Sequence, residues 1–273
     1  MIKHYEGALG TFDYDDEEFE WMFDDEERYI DYLHYIGKGK SVDLPNGCIN
    51  TRYMFSNCAL PEGFTLGNFN TFYVKDMEGM FEWCRMPKGF SLGNYFDTSK
   101  VKNMYRMFEN CIFPEGFTLG NYFDTSKVKN MSSMFYECKF PKGFTLGNKF
   151  YTYNVINMDN MFYKCKFLEK YFLEDHFNTS NVKDMEAMFS GCTFPEGFTL
   201  GNKFDTGNVE NMDMMFYNCK FHKQFNFGSK FKIDKVKMNK HIDSIFDCCK
   251  LMPYNMSIDR YLYNTLIKGE IVI

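Results

Sequence analysis

Ten cysteines, five histidines and two acidic clusters are the groups in this 273-residue chain whose types and spacing bear on chemistry. A structural metal site needs Cys and His gathered at short spacings. Here Cys48, Cys58, Cys84, Cys111, Cys138, Cys165, Cys192, Cys219 and the Cys248-Cys249 pair contain no Cys-x-x-Cys element. His4, His34, His176, His222 and His241 stand in no repeated relation to a Ser, Cys or carboxylate that would mark a nucleophile and its base. Asp205-Thr206-Gly207, Asp97-Thr98-Ser99 and Asp124-Thr125-Ser126 offer carboxylates of the kind that share a proton in acid proteolysis. Their recurrence in one chain points instead to a local capping role. No Gly-rich phosphate loop is present. These residues therefore predict no catalytic, metal or cofactor site, and a non-enzymatic protein.

The spacing of the cysteines is itself the main signal. A Met-Phe-x-x-Cys unit ends at Cys58, Cys84, Cys111, Cys138, Cys165, Cys192 and Cys219, and a degenerate Ile245-Phe246-Asp247-Cys248-Cys249 follows. One step is of 26 residues, five are of 27, and the last is of 30. The text between cysteines barely changes: Pro-x-Gly, then Phe-Thr-Leu, then Gly-Asn, as in Pro114 to Asn121. After it comes Phe123-Asp124-Thr125-Ser126-Lys127-Val128-Lys129-Asn130-Met131-Ser132-Ser133-Met134-Phe135. One such unit cannot bury its own apolar face, whereas stacking aligns like on like into columns.

Each unit reads as a short strand and a short helix. Pro-x-Gly makes a turn and Phe-Thr-Leu alternates in, out and in. Asp, Thr or Ser then serves as N-cap to a helical face of Val128, Met131, Met134, Phe135 and Cys138. Four residues after each cysteine stand Glu62, Lys88, Glu115, Lys142, Glu169, Glu196 and Lys223, an exposed charge ladder that supports the register. The expected fold class is an α/β repeat, a solenoid of about seven 27-residue units over residues 48–249. An acidic N-terminal cap over 1–47 and a C-terminal cap over 250–273 complete it.

This unit resembles the BspA-like, leucine-rich-repeat-related family of bacterial surface repeats, whose hallmark string is matched throughout by Phe96 to Cys111 and by Phe123 to Cys138. The resemblance covers roughly residues 50 to 249. It implies a right-handed, leucine-rich-repeat-like solenoid used in adhesion or protein binding.

Composition sets the remaining expectations. The 45% hydrophobic content supports a packed interior rich in Phe (32), Met (20) and Tyr (19). The wealth of residues with AT-rich codons suits an AT-rich bacterium, phage or large virus. Residues 1–47 hold 13 acids against 4 bases, so the net charge of -6 divides into an acidic head and a body at +3. A body so weakly basic argues against direct nucleic-acid binding. No secretory signal and no apolar run long enough to span a membrane are visible, which predicts a cytoplasmic protein with reduced thiols and no membrane partner.

A protein partner of unidentified kind is the expected ligand. In the outward strand column Thr118, Thr145 and Thr199 are small and polar, and Phe172 alone is aromatic. Three residues after the strand, Phe69, Tyr95, Tyr122, Lys149, His176, Lys203 and Lys230 change from aromatic to basic along the stack. The clusters Asp15-Asp16-Glu17-Glu18 and Asp24-Asp25-Glu26-Glu27, interleaved with Phe19, Met22 and Phe23 at helical spacing, read as a solvated cap face. The alternative to that cap face is an acidic decoy for a nucleic-acid-binding protein, the property of a phage or mobile-element inhibitor. A surface adhesin is the third alternative.

Overall fold

The computed structural model describes residues 3–7, 10–14, 44, 47–169, 173, 177–222, 224–233 and 244–251. The expected capping helices within 15–40 and 257–268 lie outside them. So do Phe172, His176, Lys223 and the eight acids of the two clusters. At the N-terminus β1 (Lys3–Gly7) and β2 (Gly10–Tyr14) pair as an antiparallel hairpin.

Between residues 50 and 251 the described residues form stacked rungs joined in parallel. For reference, rung 2 is 59–84, rung 3 is 85–111, rung 4 is 112–138, rung 5 is 139–165, rung 6 is 166–192 and rung 7 is 193–219. One ladder of parallel bridges runs Asn50, Asp76, Asn103, Asn130, Asn157, Asp184 and Asn211, each paired with the next. A second passes through the residue after each cysteine, Ala59, Arg85, Ile112 and Lys139, and resumes through Lys166, Thr193 and Lys220. It ends where β3 (Lys220–Phe221) pairs with β4 (Lys250–Leu251).

The expected helices are not formed. Residues 131–138 of rung 4 are a run of tight turns in which the amides alternate in their choice of partner. Those of Met134, Tyr136 and Cys138 bond back three residues, while those of Met131, Ser133, Phe135 and Glu137 bond carbonyls of rung 5. Ser133 and Glu137 sit at φ 52° and 53°, and the matching positions in rungs 3 and 5, Arg106, Asn110, Asn160 and Lys164, are left-handed too. A left-handed residue every fourth position stops a right-handed helix, at about 1–2 kcal/mol each. The inter-rung bonds, of about 1 kcal/mol net apiece, offset that cost. The turns bring Met131, Met134, Phe135 and Cys138 to one side, which is why the spacing imitates a helical face.

The strand expectation is also shifted. Phe117, Thr118 and Leu119 do alternate buried, exposed and buried. The long ladders, however, run through the Asn/Asp before the turn run and the residue after Cys, and in the Phe-Thr-Leu column the one bridge that joins two described residues is Thr199 with Asn226. The charge ladder is replaced likewise: the cross-rung ion pairs among the described residues lie in other columns, such as Lys164 with Glu137 at 2.8 Å. Glu169 accepts instead from the Gly143 amide at 3.1 Å.

The interior is a set of columns. Phe55, Phe81, Phe108, Phe135, Phe162, Phe189, Phe216 and Phe246 stack successively at 5.2–5.7 Å with planes within 9°. Offset ring pairs of this kind contribute about 0.5–1.5 kcal/mol beyond their buried area. A second column runs Phe69, Phe96, Phe123, Phe150, Phe177 and Phe204. Phe69 therefore belongs to the core and not to the aromatic-to-basic column. Rung 2 is one residue short between Leu66 and Phe69, which slips the alignment made from the strand.

Candidate functional site

Two ladders of polar side chains hold each rung at a fixed height. Thr71, Thr98, Thr125, Thr152, Thr179 and Thr206 are buried, and each hydroxyl donates to a main-chain carbonyl of the next rung at 2.6–2.9 Å. The Asn/Asp ladder caps the turn run from within: Oδ1 of Asn103, Asn130 and Asn157 accepts from the amide two residues on at 2.9–3.1 Å. Asp97, Asp124 and Asp205, expected as helix caps, accept from Ser99, Ser126 and Gly207 at 2.8 Å and so close turns. These carboxylates are held by main-chain donors, Asp97 and Asp124 in neighbouring rungs and Asp205 three rungs further on.

The cysteines form a third internal column. The thiols of Cys111, Cys138, Cys165, Cys192, Cys219 and Cys249 each donate to the Phe carbonyl of the preceding rung at 2.8–3.0 Å. Burial pushes these thiols far above the ordinary range, and Cys58 and Cys249 up to about 12. Such thiols are poor nucleophiles and poor metal ligands. Among the described residues no group of three or more His, Cys, Asp or Glu is placed to hold a metal. Nor is any helix among them long and apolar enough to cross a membrane.

What varies from rung to rung lies on the outer side of the turn run. Between the buried Met, Met-Phe and Cys of each rung stand four positions. They read Glu78, Gly79, Glu82 and Trp83 in rung 2, and Tyr105, Arg106, Glu109 and Asn110 in rung 3. In rung 4 they are Ser132, Ser133, Tyr136 and Glu137, in rung 5 Asp159, Asn160, Tyr163 and Lys164, and in rung 7 Asp213, Met214, Tyr217 and Asn218.

These side chains pack on one another across rungs. The Tyr53 ring occupies the space that a Cβ on Gly79 would fill, at 2.3 Å, and its hydroxyl donates to Glu78. Arg106 lies 3.8 Å from Glu82 and 3.3 Å from Glu109, and stacks on Tyr105. Burial raises both carboxyls against the lowering effect of that one guanidinium. Tyr136 and Tyr163 stack at 4.5 Å, with Lys164 bridging to Glu137. Trp83 is 55% exposed although its φ of 57° is unfavourable for a bulky residue.

A family of Mycoplasma proteins of unknown function, DUF285, matches residues 49–145 and again 140–257. The chain belongs to this family. Two successive matches are consistent with a repeated sequence in this DUF285 chain. No curated protein and no solved structure matches it.

Of the residues singled out in the sequence, Thr118 and Thr145 are exposed and Thr199 is half-buried. Lys149 is exposed with its Nζ 5.8 Å from the Tyr122 ring, and Lys203 is exposed. The structure does not join them to the variable face of this DUF285 chain. That face was missed because each rung was compared with the consensus for its likenesses. Its differences, gathered at four positions of eight, were the signal.

Proposed function

We propose that this DUF285 chain is a non-enzymatic protein-binding scaffold, a solenoid of the BspA-like kind whose variable turn-run face grips a protein partner. One observation carries the reading: near-identical interiors set side by side the four outer positions of each rung, and those positions differ in charge, size and aromaticity. A binding surface built this way changes its specificity without disturbing the core. Trp83, Tyr105, Tyr136 and Tyr163 supply the rigid aromatic area typical of protein interfaces, with Arg106 among them.

The test is to flatten the face. Replacing Glu82, Trp83, Tyr105 and Tyr163 by Ser leaves the columns intact, and thermal unfolding should stay cooperative. Proteins captured by the native chain from its host and lost by the flattened variant support the reading; identical capture by both refutes it.

A further inference from the structure

A different edge of the stack carries a second surface, at the loop between the aromatic-to-basic column and the Asn/Asp ladder. In rungs 2 to 5 it bears six lysines: Lys75, Lys100, Lys102, Lys127, Lys129 and Lys149. Five are exposed, and Lys100 is half-covered because its Nζ lies 3.8 Å from the Phe72 ring and 4.6 Å from that of Tyr73. None of the six forms an ion pair among the described residues, where every such pair involves other cations. The nearest acids in sequence, Asp76, Asp97 and Asp124, are turned onto the amides of Glu78, Ser99 and Ser126, and Asp76 also accepts from the Asn103 side chain. Tyr73, Tyr95 and Tyr122, each about half exposed, accompany the lysines.

The same loop loses this character further along. Lys100 and Lys127 are followed in their column by Asn154, Asn181 and Asn208, whose side-chain amides bond carbonyls of the preceding rung at 2.6–2.8 Å. Lys129 is followed by Ile156, then by Lys183, which pairs with Glu210 at 2.8 Å. Asparagine thus serves the rung better at this position, and the lysines hold it without a structural duty.

We propose that this edge binds an acidic polysaccharide. Its lysines recur in straight columns at the rung interval of about 4.8 Å, a linear array of charge that fits a linear polyanion lying along the stack. Exposed tyrosine faces beside them take the apolar faces of sugar rings, and Ser99 and Ser126 lie in the same loop. The patch spans roughly 14 Å, three rung intervals. That suits a short oligosaccharide and is brief for a single-stranded nucleic acid, which is tracked over about 4–16 nucleotides. A bilayer would need apolar side chains reaching past the lysines, whereas Phe72 lies beneath Lys100.

The experiment measures binding of the full chain to a heparin octasaccharide, beside a variant with Lys100, Lys102, Lys127 and Lys129 changed to Gln. A control carries Lys88, Lys139, Lys142 and Lys166 changed to Gln, an equal loss of charge on exposed positions elsewhere. The edge variant should bind about tenfold more weakly at physiological salt, four exposed charge pairs at a few tenths of a kcal/mol each. The control should stay within about twofold, and matching thermal melts establish that all three chains are folded. Tyr95→Ala with Tyr122→Ala should add a loss that persists at high salt. Absence of binding by the native chain overturns the proposal, as does equal weakening in the control. Tighter binding to an oligothymidylate of equal charge, or to phosphatidylglycerol vesicles, assigns the edge to another class and overturns it too.

Discussion

The two sides of a single turn run obey opposite rules. On the inner side of rungs 2 to 7 the residues are Met, Met-Phe and Cys in every rung, each almost wholly buried. On the outer side, one residue away, no two rungs carry the same four residues, and a tryptophan is held in a left-handed conformation. The inner side is fixed by its neighbours above and below, because a column of stacked rings admits only rings. The outer side reaches solvent through its large side chains, although Ser132, Ser133, Ala187 and Ser190 are buried, and its backbone is held by bonds that do not depend on side-chain identity. The fold thereby separates what must repeat from what is free to differ.

Alkaline titration should expose this difference most strongly. The buried thiols have folded-state pKa values raised by burial, so their contribution is complete below pH 9 and is lost as pH rises towards about 12. Each contributes a slope of up to about 1.4 kcal/mol per pH unit in that window. Thermal midpoints measured from pH 8 to pH 10.5 should fall steeply, and replacing Cys138 and Cys165 by Ala should flatten the slope. A flat profile would mean that the inner column is open to water.

Phe135→Ala comes next, with an expected loss of about 3–5 kcal/mol in denaturant unfolding, since the ring is packed between Phe108 and Phe162. Tyr136→Ala, its outward neighbour, should cost a small fraction of that. Equal costs would erase the distinction between the sides. Thr125→Val should cost about 1–3 kcal/mol, because the carbonyl of Tyr151 loses its hydroxyl donor in a buried site. The smallest effect has the opposite sign. Trp83→Gly relieves the left-handed strain and should raise stability by about 0.5–1 kcal/mol, while weakening capture of the partner.

The repeat, its period and the burial of Val128, Met131, Met134, Phe135 and Cys138 were all legible in the sequence. Stacking of near-identical units follows from their inability to bury an apolar face alone. The turn run was not legible, because inward steps of three, one and three are shared by a helix and by linked turns. Only the partner of each second amide distinguishes them, and that partner lies 26 residues on, as Met131 to Asn157 shows. The buried threonines were read as caps for a related reason: Thr125 sits beside Asp124 and Ser126, and all three suit a helix start. Lys149 and Lys203 mark part of a basic column in the sequence, whereas nothing in the spacing of Lys100, Lys102, Lys127 and Lys129 sets them apart from the rest of the repeat.

The parallel bonding of each rung to the next has a mechanical consequence. Force applied along the stack loads one rung's hydrogen bonds at a time, so the chain should peel from an end and not shear as a block. Each rung released would lengthen the tether by roughly 90 Å, the contour of 27 residues at about 3.4 Å apiece. A chain of this kind is a spool that pays out under tension in equal steps, absorbing work while the rungs still wound keep their grip.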